Sequence, residues 1–434
     1  MEQTSCPISL YFFRIPAVNG NIQKLARRSA WVASLVAMML SGCSLISAPW
    51  HRQEAAKAPA APPPPPAPLE VEPVLAAPLA THQFELRDAD DDVVGTVQIA
   101  ITSKDDTLPD IARRFDIGYE EIVRANPGVD PWLPGVGRKI VVPTQFVLPN
   151  APHEGLVINV AAMRLFYYPK PAKGEAQQVF TYPIGIGKVG WSTPEGVTKV
   201  VSREKNPTWR PGPGVRKEHE DDNDPLPAVI PPGPDNPLGK YKFTLGWPEY
   251  LIHGTNKPYG VGLRSSHGCI RLYPEDIEKL FNAVPLGTQL RVVNQPFVFG
   301  WHHGQAYLQA YTVLEDDPRN WQSAQRTLLS KSLSARLSKQ LKDSSSQINW
   351  SSVSQVTHAP RGLVVAVSGV PGTPESVIAA ARVVENRIPS GSNWDGADEQ
   401  DADQQSYKQL LSEREPAATP KPASTAVPKP AGST

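Results

Sequence analysis

The chain has 434 residues, enough for two or three domains at about 100–200 residues each, and 40% hydrophobic content can supply a buried core. Lys plus Arg number 43 and Asp plus Glu 43, so no global field favours nucleic acid or an anionic membrane surface. Three cysteines exclude a disulfide scaffold and a four-cysteine zinc site, and the 47 prolines, about twice the ordinary usage, cluster in connectors.

In chain order, residues 29–40 form an apolar run behind Lys24, Arg27 and Arg28. A membrane-spanning helix needs roughly 20 apolar residues, so the run reads as the core of a secretory signal peptide. Leu40-Ser41-Gly42-Cys43 then resembles the lipobox of bacterial lipoproteins. That resemblance implies cleavage before Cys43, a lipid on its sulfur, and a membrane anchor through that lipid. Ser44 resembles an outer-membrane address, which places the protein in the periplasm, held to the outer membrane. An uncleaved anchor or a plain secretory signal is the alternative. Residues 44–92 follow as an Ala/Pro-rich linker in which 62–66 are all proline, a composition that favours extended polyproline II and a semi-rigid tether. At the far end, 390–434 is rich in Ser, Asp, Gln, Ala and Pro and is expected to be a disordered tail.

Residues 93–145 read strand, helix, helix, strand. Val94, Val97 and Ile99 alternate roughly with period two. Asp106-Thr107-Leu108 is a helix-start signal with Ile111, Ala112 and Phe115 at helical spacing, and Asn126-Pro127-Gly128 stops a second helix begun at Tyr119. Ile140-Val141-Val142 closes the unit as a strand. The segment 105–143 resembles a LysM domain, which implies a βααβ module that binds peptidoglycan glycan strands. It departs from the family at Pro109 and in Trp132-Leu133-Pro134. LysM glycan contacts come from two loops at one edge, here represented by Asp106, Thr107 and Asn126, with Leu108, Ile111 and Ile122 read as core.

After Pro152 the chain becomes strand-rich: 156–168 reads as a hairpin and 179–186 continues it. The Pro/Gly-rich stretch 207–240 cannot be regular throughout, and a loop of that length within a domain is usually functional. Then come Ile252-His253-Gly254-Thr255-Asn256 and Ser265-Ser266-His267-Gly268-Cys269-Ile270-Arg271-Leu272. Cys6 leaves with the signal and Cys43 is consumed by lipid, so Cys269 is the free thiol of an exported protein. Histidine can draw off the thiol proton and leave the nucleophilic thiolate. Gly268 permits close backbone approach, and the Gly268 and Cys269 N–H groups are candidates for an oxyanion hole. Between the two histidines, the base is assigned to His253, which reaches the sulfur from another strand, and His267 is left a supporting role. A buried core cysteine and a structural histidine are the alternatives.

The pattern IHGTN followed by SHGCIRL, with His253 sixteen residues before Cys269, resembles the L,D-transpeptidase (YkuD-type) catalytic domain. The stretches VINVAAMRLFYYP, NPTWRPGPGV and PPGPDNPLGKY belong to the same resemblance, which points to the proteobacterial branch carrying an N-terminal LysM. It implies a mainly β protein with some α: a LysM module, a β-sandwich-like catalytic domain at 153–295 and a C-terminal α/β extension at 296–389. It implies Cys269 as nucleophile, His253 as proton donor and acceptor, and Arg271, Ser266 and Thr255 around the substrate. In the implied reaction the thiolate attacks the carbonyl at the L-centre of diaminopimelate in a tetrapeptide stem and D-Ala leaves. An amine then takes the acyl group, forming a 3–3 crosslink or attaching a lipoprotein to the wall. No cofactor or metal is implied. An L,D-carboxypeptidase or other hydrolase on the same scaffold, or a non-catalytic LysM wall-binding lipoprotein, are the competing readings. A papain-like protease is disfavoured because its cysteine precedes its histidine and opens a helix.

Beyond the motif, 295–313 reads as a hairpin carrying Trp301-His302-His303, a histidine pair that, without a carboxylate or third ligand in the local sequence, is read as a solvated surface pair rather than a metal site. Leu329, Leu333, Leu337 and Leu341 mark an amphipathic helix within 323–341, and 362–369 followed by 376–387 reads strand then helix.

Overall fold

The computed structural model describes residues 75–86, 91–321 and 348–396. The signal and lipid readings at 1–43, the leucine-spaced helix at 323–341 and residues 397–434 of the tail lie outside the described residues.

The fold is mainly β with some α. The first strands are β1 (Gln83–Leu86), β2 (Val93–Gly95) and β3 (Gln98–Ile101). Two helices follow, α1 (Leu108–Arg114) and α2 (Tyr119–Ala125), then β4 (Lys139–Val142) and β5 (Gln145–Val147). α1 starts where its caps dictate: Thr107 accepts from the Asp110 N–H while the Asp110 carboxylate takes the Thr107 N–H at 2.9 Å, a reciprocal capping box. β3 and β4 pair antiparallel, and Leu108, Ile111, Phe115, Ile122, Ile140 and Val142 are fully buried between them and the helices.

Next are β6 (Gly155–Asn159), β7 (Arg164–Tyr168), β8 (Gln177–Pro183), β9 (Ile186–Gly187) and β10 (Gly196–Lys205). α3 (Pro213–Asp221) interrupts the proline-rich stretch, followed by β11 (Tyr241–Leu245) and β12 (Leu251–His253). β13 (Arg264–Ser266), β14 (Ile270–Arg271), α4 (Pro274–Ala283) and β15 (Gln289–Val293) complete this part. Nine strands form one sheet in the order β1-β8-β7-β6-β15-β10-β11-β12-β14. Its centre is buried on both faces, and the side chains sort with period two. Leu156, Ile158, Leu165 and Tyr167 enter one core with α4, whereas Val157, Phe166 and Tyr168 enter the core of the βααβ module.

The chain ends with β16 (Phe297–His302), β17 (Gln305–Ala310), α5 (Trp350–His358), β18 (Val364–Ala366), α6 (Pro374–Ala380) and β19 (Arg382–Val384). Here the structure departs from the sequence reading in three places. β1 falls within the stretch read as linker and pairs antiparallel with β8, from Gln83 opposite Phe180 to Leu86 opposite Gln177. The helix expected over 376–387 stops at Ala380, because the β-branched pair Val383-Val384 adds to the open edge of β3 as a parallel strand. At the head of the tail, Trp394 is buried with the Arg113 guanidinium 4.5 Å over its ring, and Asn393 donates to Asp276.

Candidate active site

Two parallel strands carry the site. β12 pairs with β14, Ile252 opposite Ile270 and His253 opposite Arg271. Ile252 and Ile270 are fully buried in the main core. The pleat therefore turns His253, Arg271 and Cys269, one residue before β14, to the other face.

The His253 Nδ1 lies 2.6 Å from the Gly254 carbonyl oxygen. A carbonyl only accepts, so Nδ1 carries the proton and Nε2 keeps a bare lone pair. Burial, and then the Arg271 charge, push the imidazole pKa down to about 3, so the ring is neutral across the physiological range. Cys269 is half-buried and its thiol donates to the Glu249 carbonyl at 3.6 Å. Burial pushes the thiol up, against a backbone hydrogen bond from Leu251 and the Arg271 charge, which favour the thiolate. Glu249 holds that carbonyl from a left-handed backbone conformation with φ 69°, uncommon for a residue with a side chain.

The turn before the cysteine needs glycine. Gly268 has φ +97°, and an added Cβ would sit 3.0 Å from the Tyr250 ring. The Ser266 hydroxyl donates to the Cys269 carbonyl at 2.6 Å, and the Thr193 hydroxyl to the Gly268 carbonyl at 3.0 Å, so the loop is clamped from two sides. Ser266 thus shapes the loop from a buried position. Thr255 is likewise buried and caps its own turn by accepting from the Lys257 N–H at 2.9 Å. Arg271 donates to the Ser265 hydroxyl at 3.3 Å, its Nε is buried with no hydrogen-bond partner, and among the described residues no carboxylate pairs with it.

His267 turns toward α3 rather than the sulfur. Its Nε2 lies 3.2 Å from the Glu218 carboxylate, which also pairs with Lys188, and the Trp191 ring meets it edge-on at 5.0 Å. Burial lowers the His267 pKa, with the Lys188 charge adding to it and Glu218 opposing. Sequence reasoning missed Lys188, Trp191, Thr193 and Glu218. They come from elements that only folding brings to the loop, and the sole hint was the long Pro/Gly-rich stretch.

The three glycan candidates of the βααβ module all take part in hydrogen bonds of the fold. Asp106 is buried and receives Arg114 at 2.6 Å and Asn386 at 2.8 Å. Thr107 is the buried cap of α1. Asn126 uses its amide to close the loop onto β4, accepting from the Val141 N–H at 2.8 Å and donating to the Val141 carbonyl at 2.8 Å. Short polar side chains at loop ends satisfy backbone groups that a strand or helix leaves open, which is their use here. The exposed positions of those loops are Ser103, Lys104 and Asp105, then Pro127, Gly128 and Asp130.

Residues 102–143 match the model of the LysM domain and residues 153–293 that of the YkuD L,D-transpeptidase catalytic domain. The probable L,D-transpeptidase YcfS of Escherichia coli K12 is 39% identical over 255 residues, covering 56% of this chain and 78% of the relative. The chain belongs to the L,D-transpeptidase family. Another relative, the probable L,D-transpeptidase YbiS of the same strain, is 44% identical over 207 residues, 47% of this chain and 66% of its own. The solved catalytic domain of the E. faecium L,D-transpeptidase is 24% identical, with a TM-score of 0.24, and covers 32% of this chain and 96% of that one. The two matched domains mark this L,D-transpeptidase as a protein of peptidoglycan.

Proposed function

We propose that Cys269 is the nucleophile and His253 the proton carrier of a peptidoglycan L,D-transpeptidation. What supports the reading is the common face of β12 and β14, shared by a bare imidazole nitrogen, a thiol and a guanidinium that no carboxylate among the described residues pairs with. The thiol proton passes to His253 Nε2 as the sulfur bonds to the carbonyl at the L-centre of diaminopimelate. The tetrahedral oxyanion collapses, the bond to D-Ala breaks, and the D-Ala nitrogen takes the proton from His253. A thioester remains. An acceptor amine then attacks it, His253 receives the amine proton and returns it to the sulfur. Arg271 is the group for a stem carboxylate, since a guanidinium without an acidic partner is charge-matched to one. Gly268 and Cys269 N–H groups are assigned to the oxyanion, with Ser266 and Thr193 fixing the turn that presents them.

Peptidoglycan is the donor, and a second stem amine or a lipoprotein lysine is the acceptor. The protein is placed in the periplasm as a lipoprotein anchored to the outer membrane through Cys43. Replacing Cys43 with Ser then abolishes incorporation of labelled palmitate into the expressed chain. Retained label would sink the anchor reading. The reaction itself is tested by intact-protein mass spectrometry after incubation with a disaccharide-tetrapeptide. A mass gain equal to donor minus D-Ala, absent in Cys269→Ala, is expected. Conversion to a crosslinked product when an acceptor stem is added distinguishes transfer from hydrolysis, and no adduct with unchanged donor overturns the assignment.

A further inference from the structure

The histidine pair at the β16–β17 turn takes no part in the chemistry above. In sequence it lacks a third ligand; in the structure Asp91 supplies one from 211 positions away, its Oδ1 lying 2.9 Å from His302 Nδ1. The His302 and His303 ring centroids are 4.0 Å apart. One ligand atom from each of Asp91, His302 and His303 lies within 4.8 Å of the other two. The neighbouring residue fixes this approach through the backbone. The Asp92 N–H donates to the Trp301 carbonyl at 2.8 Å, and the Asp92 carboxylate accepts from the Trp301 N–H at 2.9 Å. His303 has φ 47° and Gly304 φ 76°, so the hairpin closes in a two-residue turn that holds the imidazoles side by side at its tip.

We propose that Asp91, His302 and His303 bind one divalent first-row transition metal of the zinc class. Two imidazoles and one carboxylate are the donor set such ions take, whereas calcium and magnesium require oxygen ligands throughout. Metal–ligand distances of about 2.0–2.2 Å set neighbouring donors roughly 3.3–3.5 Å apart, so the Asp91–His302 pair at 2.9 Å opens slightly while the wider separations, up to 4.8 Å, close by about 1.4 Å at most. The exposed His303 ring has the freedom to make that move. Three protein ligands leave further coordination positions to solvent. The bound ion staples the C-terminal extension to the segment that enters β2.

The test is calorimetric titration of Zn2+ into the untagged full chain carrying Cys6→Ser, Cys43→Ser and Cys269→Ala, which removes every competing thiol. One equivalent binds, and affinity falls by at least about tenfold in His302→Ala, Asp91→Asn and His303→Asn. His303→Asn keeps a residue that the left-handed turn accepts, so loss of binding there is not loss of fold. Zinc also raises the melting temperature of the parent, and the rise disappears in His303→Asn. Absence of binding at millimolar zinc overturns the proposal. So does equal affinity in the His303→Asn and Asp91→Asn variants, which would place the ion elsewhere, for instance at His219, His267 and Glu218.

Discussion

His253 and Cys269 rest uncharged in the folded chain. The imidazole is held down to about 3 and the thiol is pushed up, each chiefly by burial, so a resting thiolate–imidazolium pair is disfavoured. In the proposed mechanism, proton transfer then accompanies attack rather than preceding it. A prediction follows from the direction of the cysteine shift: the rate of Cys269 alkylation by iodoacetamide rises with pH only above the ordinary thiol range of about 8.5. Mass spectrometry of timed quenches from pH 6 to 10 reads this. A rate already level below pH 7 would show a preformed ion pair and defeat the account. The identities of His253, Cys269 and Arg271 were legible in the sequence because two short, unusual motifs carry them. Their protonation was not, since it depends on which atoms surround them after folding.

At the scale of elements, α3 is the least foreseeable part of the site. Proline and glycine correctly marked 207–240 as irregular, yet Pro213 sits at the first turn of α3, where its missing N–H costs nothing. The helix presents no buried residue; its Glu218 reaches both Lys188 and His267. Burial raises the Glu218 carboxyl, but Lys188 and His267 outweigh it and hold it below its ordinary value. Partly exposed pairs of this kind contribute about 1 kcal/mol or less. Glu218→Ala therefore leaves the melting temperature nearly unchanged while speeding proteolytic cleavage within 207–240 several-fold. Unchanged cleavage would show that α3 is held by something else. β19 teaches the complementary point: the edge of β3 captured residues whose local pattern reads as helix.

The whole molecule depends on a buried joint between the LysM module and the catalytic sheet. Arg164 of β7 is fully buried; it pairs with Glu121 of α2 at 2.8 Å, donates to the Asp116 carbonyl at 3.0 Å and lies 4.1 Å over the Phe146 ring. Removing one partner of a buried pair leaves the other charge stranded, at a cost of about 3–5 kcal/mol. Arg164→Ala thus lowers the melting temperature strongly, and because the two modules share one core, calorimetry shows a single transition shifted as a unit. Two separated transitions, with only one displaced, would contradict the shared core. By itself the sequence determined what is local: the capped helices of the LysM module, the alternating strands, and the motif whose spacing names the chemistry. Only the tertiary structure decided that Asp106 and Asn126 are drawn into hydrogen bonds of the fold, that His267 answers to Glu218, and that Asp91 meets His302. Those outcomes rest on contacts between residues from 15 to 280 positions apart, where burial and hydrogen-bond demand, rather than propensity, choose each side chain's partner.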